Sequence, residues 1–521
     1  MIHQSRYPHV TWPETAITEV AFRHADRLAG RTAIVDAATG RSRTYAELHS
    51  AVRSFAGGLL ERGVGKGDAV AILSPNLPEY PIAFHGVCTA GAVNTTLNPL
   101  YTADEINFQL RDSEARMLIT IPPLLDKARD AVRGTAVAEI VVFGEADGAT
   151  PFASLLAGPE ARQAAVDPAR DLAVLPYSSG TTGISKGVML SHRNLVANLV
   201  QTAALQDFGD DPVTMAVLPF FHIYGMNVIM NGTLFQGGTI VSMPRFELEA
   251  FLAAIQQYRV KWLFVAPPIV VALAKHPSIG GYDLSSVEVV FSGAAPLDAG
   301  TADECAERIG CQVIQGYGLT ETSPVTHSVP NRAAGSPPAT VGYALPNTEC
   351  RVESPDGRDL GPGEDGEIWI RGPQVMVGYL NNQAATASSI DDDGFFHTGD
   401  IGHVDEDGWW FIVDRLKELI KYKGYQVAPA ELEALLLSHP DIADAAVIGV
   451  PDLEAGEIPK AFVVPKQPVT PDAIMEFVAS RVAPHKRVRR VEVVDAIPKS
   501  ASGKILRRVL REREKATTTP S

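Results

Sequence analysis

Cysteine is scarce in this chain. Its 521 residues hold four (Cys88, Cys305, Cys311, Cys350), with no Cys-x-x-Cys pair and no metal-ligand spacing. That excludes a disulfide framework and a cysteine-based zinc module, and it fits inert buried thiols in a reducing compartment. Positive charge is also short. A formal net charge of −16 leaves no overall basic surface, so nucleic acid is not an expected partner. Long clean apolar runs are missing as well. Residues 212–243 carry no Asp, Glu, Lys or Arg, yet Pro219, His222, Asn227, Asn231 and several glycines interrupt them. Such a run suits a buried core segment rather than a membrane span. The first residues lack the apolar core of a signal peptide, and the terminal Thr-Thr-Thr-Pro-Ser is no peroxisomal signal. A cytoplasmic protein without membrane contact is the expectation.

What is present is a composition of 45% hydrophobic and 20% charged residues, with length enough for two or more domains. The chain is organised around Tyr177-Ser178-Ser179-Gly180-Thr181-Thr182-Gly183-Ile184-Ser185-Lys186-Gly187. This stretch follows the apolar run 172–175, short enough for a buried strand, and precedes Ser191, a helix-capping residue type. Backbone N–H groups beside glycines can approach phosphate oxygens, hydroxyls can donate, and Lys186 adds a point charge. A strand-to-helix loop that cradles polyphosphate is expected. It is not the P-loop of NTPases, whose lysine follows glycine and precedes Ser or Thr. Here Lys186 stands between Ser185 and Gly187.

Strand-like and helix-like segments alternate from residue 31 to about 150 and again over 171–315. Strands are expected at 32–35, 69–73, 172–175, 213–218, 239–243, 262–265, 287–291 and 312–315. Helices are expected at 45–62, 79–90, 102–113, 247–257 and 298–309. That order predicts an α/β fold in which helices cover largely parallel sheets, with ligands at the carboxyl ends of the strands. The polar loops 178–187, 292–296 and 316–321 fall at those ends. Over 341–413 the texture changes to short strands with Gly and Pro turns, fitting a small β-barrel-like subdomain. Residues 1–414 thus read as a large N-terminal domain of helix-covered mixed sheets, and 415–521 as a smaller α+β domain. Residues 481–515 hold twelve Lys and Arg against four Asp and Glu. Such a run is commonly a solvated face; facing a cleft, it could instead receive a polyanion.

Six motifs in one order resemble the adenylate-forming superfamily of acyl-CoA synthetases, luciferases and peptide-synthetase adenylation domains. They are Tyr177 to Gly183, Leu218-Pro219-Phe220-Phe221-His222-Ile223-Tyr224, Gln315-Gly316-Tyr317-Gly318-Leu319-Thr320-Glu321, His397-Thr398-Gly399-Asp400, the run 414–426, and Ser502-Gly503-Lys504. The resemblance spans about residues 15–513 and is nearest the bacterial cinnamate/4-coumarate:CoA ligases. It implies a two-step reaction in which a carboxylate attacks the α-phosphorus of ATP and a thiol then displaces AMP. ATP and CoA would be cosubstrates, with Mg²⁺ as cofactor.

The same resemblance assigns roles. Lys504 would bridge carboxylate and phosphate, and Thr181 and Glu321 would stand on the Mg²⁺ side. Ser178, Ser179, Gly180, Thr181, Thr182, Gly183 and Lys186 would hold the phosphates. Gly293, Ala294, Ala295, Gln315, Gly316, Tyr317, Gly318 and Thr320 would also contact ATP or AMP, with Tyr317 stacking on the adenine. Asp400 would accept the ribose hydroxyls, with Arg415 also near the ribose and Lys417 at a hinge near 415–417. A mobile C-terminal domain would turn between half-reactions, bringing Lys421 and Gln426 to AMP, and Lys423 and Gly424 to CoA. Arg245 matches a position near the CoA phosphate, though a solvated arginine reads equally well. His222 would sit beside the carboxylate and thiol entrance, either as a base or as a lining residue.

The acyl pocket implied by the resemblance comprises Tyr224, Phe291, Gly293, Gly318, Pro324 and Val325. Gly293 and Gly318 would leave room for a flat ring that Tyr224 flanks. Plant coumarate ligases carry a polar or flexible residue where Phe291 stands, which points to an apolar cinnamate-like acid or a medium-chain fatty acid. Loading of a phosphopantetheine carrier protein is an alternative, separable by dependence on free CoA. A non-enzymatic nucleotide binder is another, and it would release no pyrophosphate. A monomer or a homodimer is expected.

Overall fold

The computed structural model describes residues 1–179, 185–331, 335–423, 425–452, 454–500 and 503–518. Two large sheets dominate. In the first, eight strands run in the order Gly378–Tyr379, Ser185–Ser191, Leu172–Ser179, Val93–Leu97, Ala69–Leu73, Met117–Thr120, Glu139–Val142, Thr150–Pro151. From Leu172–Ser179 onward the pairing is parallel. Every residue of Ala69–Leu73 and Val93–Leu97 is buried, as strands covered on both faces must be. The second sheet has nine strands, with Trp262–Val265, Val289–Ser292 and Gln312–Gly318 side by side and parallel near one end. Antiparallel strands close both of its edges.

A continuous apolar core runs through both sheets and the helices between them. The β-rich part is a small curled antiparallel sheet, in which Gly366–Arg371 alternates buried and half-exposed residues. Beyond it, strands Ile442–Asp452 and Gly456–Pro465 pair over their length and pack on helices Pro429–Leu437 and Pro471–Ala479 around apolar clusters of their own.

One local expectation is corrected. The loop at 178–187 does not lead straight into a helix. Ser185–Ser191 is a strand paired antiparallel with Leu172–Ser179, placing Lys186 opposite Ser178 and Gly187 opposite Tyr177. The helix His192–Ala203 starts only after that strand, so its N-terminal dipole is a full strand away from the loop. Val188 and Leu190 are buried, and burying them is what carries the chain back along the sheet before it turns. The uncharged 212–243 region forms strand Val213–Ala216, a π-helical segment Tyr224–Asn231, helix Gly232–Phe235 and strand Thr239–Ser242, all largely buried. Among the described residues no helix is long and apolar enough to cross a membrane.

The helix His192–Ala203 also ties the sheet to the segment beyond it. Ser191 Oγ accepts from Asn194 N while Asn194 Oδ1 accepts from Ser191 N, a reciprocal cap. The same Asn194 amide donates to the carbonyls of Pro373 and Val375. Ser191→Ala should cost about 1 kcal/mol, typical for a lost N-cap. Asn194→Ala should cost more, because it also removes the donor to two half-buried carbonyls. Urea midpoints of the two variants would check that order.

Candidate active site

Where the carboxyl ends of the strands from both large sheets meet the C-terminal unit, a chamber of about 670 Å³ opens. Ser178, Lys186, His222, Tyr224, Phe291, Gly293, Ala294, Gly316, Tyr317, Gly318, Thr320, Glu321, Pro324, Val325, Arg415, Lys417 and Lys504 all line it. Residues far apart in sequence are thus brought to one space.

One wall carries hydroxyls and opposite charges. Ser178 Oγ donates to Glu321 Oε1 at 2.8 Å, and the Tyr379 hydroxyl donates to the same oxygen at 3.0 Å. Lys186 Nζ lies 4.6 Å from the centre of the Tyr379 ring, a cation–π distance. Burial and the Glu321 carboxylate push the Tyr379 phenol up, so it remains a donor. Tyr177 donates to Asp112 Oδ2 at 2.7 Å and its ring packs on Gly187. Ser179 pairs with Ser185 across the hairpin. Gly180, Thr181, Thr182, Gly183 and Gly424 lie outside the described residues.

A second wall is built on the Asp400 carboxylate. Its Oδ2 accepts from the Tyr317 hydroxyl at 2.6 Å and its Oδ1 from Arg415 Nε at 2.7 Å. Asp400 is buried behind these two side chains and does not itself line the chamber. The Asp400 charge holds Arg415 above the usual guanidinium range.

Lys504 enters from the C-terminal unit on a turn in which Ser500 N donates to Lys504 O at 2.8 Å. Its side chain is open to the chamber, yet protein crowds it enough that desolvation, followed by the Arg415 charge, pulls its pKa down to about 8. His222 is crowded in the same way, with Lys504 near enough to add repulsion, and its pKa falls to about 4. It is neutral in ordinary buffers.

The aromatic end corrects the reason given for two glycines. A Cβ on Gly293 would lie 2.9 Å from Tyr224 Cε1, and one on Gly318 would lie 2.1 Å from the Pro324 carbonyl oxygen. Those positions do not leave an open slot. They let the Tyr224 ring and the 324 backbone close in. Tyr224 in turn donates to the Phe291 carbonyl at 3.2 Å and meets the Phe291 ring edge-on.

Several expected contacts are not in this space. Gln315 faces away, its amide oxygen accepting from Leu297 N at 3.1 Å, so it braces the 293–297 loop. Ala295 does not line the chamber. Arg245, Lys421, Lys423 and Gln426 are exposed elsewhere. Tyr379, Glu367 and Thr398 line the chamber without having been singled out. Val375 to Leu380 reads in sequence as an ordinary apolar stretch, and nothing in it marks Tyr379.

A family model described as "AMP-binding enzyme" matches residues 21–380, and one described as "AMP-binding enzyme C-terminal domain" matches 431–504. The chain is 42% identical to 4-coumarate–CoA ligase 3 of Oryza sativa subsp. japonica, over 98% of this chain and 95% of that protein. Among solved structures it is similar to an anthranilate CoA ligase in complex with anthranoyl-AMP, with TM-score 0.89, 27% identity and coverage of 97% and 98%. It is also similar to ATP-bound MatB from Rhodopseudomonas palustris, with TM-score 0.86, 33% identity and coverage of 96% and 100%.

The glycine geometry generates a test. Gly318→Ala must force the Leu319–Pro324 turn apart, because its clash is with backbone, and overpacking of this kind costs about 1–3 kcal/mol. Gly293→Ala clashes with a ring and should cost less stability while narrowing the aromatic end. Melting temperatures, paired with acid activation rates, would separate the two effects.

Proposed function

The chain belongs to the AMP-binding enzymes, adenylate-forming acid:CoA ligases, and from that membership we propose that its acid is cinnamate-like and aromatic. The observation that carries this choice is the wall made by Tyr224 and Phe291, with the buried Phe264 packed behind both. Phe264 and Phe291 lie 5.4 Å apart, and the Tyr224 hydroxyl at that wall is already engaged by the Phe291 carbonyl. A flat apolar ring gains dispersion and burial there, whereas a ring hydroxyl would lose water without a ready partner.

In the first step a carboxylate oxygen attacks the α-phosphorus, the α–β phosphoanhydride bond breaks, and pyrophosphate leaves. Both reactants are anions, so Lys504 is assigned to the point where they meet. Ser178, Lys186 and the 180–183 loop are assigned to the phosphates, Gly293, Ala294, Gly316, Tyr317, Gly318 and Thr320 to the adenine side, and Arg415 with Asp400 behind it to the ribose. Glu321 is the residue that would hold Mg²⁺, with Thr181 as its partner. Both hydroxyl donors on Glu321 bond to Oε1, which leaves Oε2 clear of them. No cluster of three metal-ligating side chains occurs among the described residues, which suits an ion that takes most of its oxygens from phosphate and water. When bound, Mg²⁺ would neutralise charge on the departing pyrophosphate.

In the second step the CoA sulfur attacks the acyl carbon and AMP leaves. Neutral His222 stands where it can line the thiol path or accept a proton. We assign 1–414 and 415–521 as the two domains, with a hinge at 415–417. A second orientation of the smaller one would bring Lys421 and Gln426 to AMP, and Lys423 and Gly424 to CoA with Arg245. Their exposure in the present arrangement is compatible with that use.

Pyrophosphate release should be fastest with ring-unsubstituted or methoxylated cinnamates, slower with polyhydroxylated ones, and slower again with C6–C16 fatty acids. A preference for fatty acids would overturn the substrate reading. Lys504→Ala should slow acyl-AMP formation by about 10²–10³ while sparing thioester formation from supplied acyl-AMP. Equal loss in both half-reactions would remove Lys504 from its assigned place.

A pH profile tests the same lysine. Since its pKa in the free protein is lowered to about 8, the ammonium is present below that value and lost above it. The kcat/KM for pyrophosphate release should therefore be level below pH 8 and fall above it by about tenfold per unit, one proton being lost. Lys504→Arg, which keeps its charge, should abolish that alkaline fall.

A further inference from the structure

We propose that Tyr379 is a positioning residue for the metal-dependent grip on ATP: its hydroxyl fixes the Glu321 carboxylate while its ring seats Lys186. This rests on the assignment of Glu321 to the metal side. Three observations carry it. The Tyr379 hydroxyl donates to Glu321 Oε1 at 3.0 Å, beside the 2.8 Å bond from Ser178. Two donors converging on one oxygen define the rotation of the carboxylate, so Oε2 points away from both. The Lys186 ammonium stands 4.6 Å over the ring of the same tyrosine. One side chain thus touches both the carboxylate assigned to the metal and the lysine assigned to the phosphates.

The backbone around Tyr379 is set to do this. Gly378–Tyr379 pairs antiparallel with the strand that carries Lys186, Val188 lying opposite Tyr379. Leu380 N donates to Gly187 O at 2.8 Å, and Met376 N donates to Glu321 O at 2.8 Å. Tyr379 N is held by Thr386 Oγ1 at 2.9 Å. The short segment 376–380 therefore bonds on one side to the end of the phosphate hairpin and on the other to Glu321 itself. Tyr379 is buried at 7% exposure, and a buried aromatic anchored at both backbone and hydroxyl loses little further freedom when ligand arrives. A tyrosine that merely filled space would need neither the hydroxyl contact nor the lysine above its face.

The effect expected is on orientation, not on the chemistry of the acid. Without the hydroxyl, the Glu321 carboxylate keeps one donor and can turn, so the metal must order it on binding. With phenylalanine the ring under Lys186 remains. With leucine it does not.

The test is calorimetric titration of ATP, with the non-reacting protein in the absence of acid, across a Mg²⁺ series and in EDTA. Tyr379→Phe should raise the Mg²⁺ concentration for half-maximal ATP binding about tenfold, leave metal-free ATP binding unchanged, and spare thioester formation from supplied acyl-AMP. Tyr379→Leu should weaken metal-free ATP binding as well. Glu321→Gln is run alongside. If Glu321→Gln shifts the Mg²⁺ dependence and Tyr379→Phe does not, Tyr379 is only a wall residue and the inference is wrong. If Glu321→Gln shifts nothing, the metal-side assignment of Glu321 falls first and takes the inference with it. Unfolding midpoints of all variants, and a Ser178→Ala variant that removes the other donor to the same oxygen, keep the result readable should Tyr379→Leu fold poorly. Ser178→Ala should reproduce the Mg²⁺ shift; no shift in it, with Glu321→Gln sensitive, would equally overturn the role given to the converging donors.

Discussion

A buried carboxylate persists only where donors replace the water it has lost, and Asp400 shows what that constraint builds. It lies on strand Phe396–Val404 of the small sheet at 4% exposure. Tyr317, from the nine-stranded sheet, donates to one oxygen and Arg415, at the last residue of strand Trp410–Arg415, donates to the other. Next to it Leu416 N donates to Gly399 O at 2.9 Å. One anion therefore fixes a ring from the large body, a cation at the chamber wall, and the direction in which the chain leaves for its C-terminal unit. Desolvation offsets most of the Coulombic gain of such a pair. Its contribution is to registration: moving any one of the three parts would strand a charge.

The charges of the whole chain follow a similar logic of pairing. Within a protein of net charge −16, the chamber lining sets Lys186, Arg415, Lys417 and Lys504 against Glu321 and Glu367, so cations outnumber carboxylates there and the balance favours anions that the outer surface repels. The basic end at 481–515 does not supply that field as a block. Arg507 pairs with Glu433, Lys499 with Asp444, Lys486 with Glu431, Arg513 with Glu492, and Arg511 with Glu418. These cations staple the C-terminal unit to itself and to the passage at 418. The run that could have received a polyanion is mostly internal framework, and Lys504 is the member of it that reaches the chamber.

Much of this was legible in the chain because local chemistry and tertiary context agree. Trp262–Val265 is a strand in pattern and in fact, and Thr102 with Glu105 caps the helix Ala103–Asp112 as those residue types suggest. The family motifs located most of the residues lining the chamber. What sequence could not supply was direction. Ser185 to Leu190 carries only three apolar residues among polar ones, so the returning strand of the hairpin was hidden inside what read as a loop. Gly293 and Gly318 announced small side chains but not whether the space was empty or occupied by Tyr224 and Pro324. Gln315 belongs to a matched motif, yet strand alternation turns its side chain toward Leu297 and away from the ligand space. Tyr379 sits in a stretch whose apolar neighbours gave no sign that its hydroxyl would meet Glu321.

The way Lys504 is mounted bears on the proposal that one chamber serves both half-reactions. The 500–504 turn is closed by its own bonds, Ser500 N to Lys504 O at 2.8 Å and Gly503 N to Ser500 O at 2.9 Å. Gly503 takes a φ of +83°, and a Cβ there would come within 3.1 Å of Ala266 Cβ. Glycine is thus needed twice, for the turn itself and for its close seating against the large body. The seat that Gly503 takes there is against Ala266 and Pro268. A lysine carried on a tight glycine turn suits the proposed cycle, in which it is set in place for one step and withdrawn for the next. The Asp400 carboxylate, by contrast, lies on the side of the passage that the large body holds.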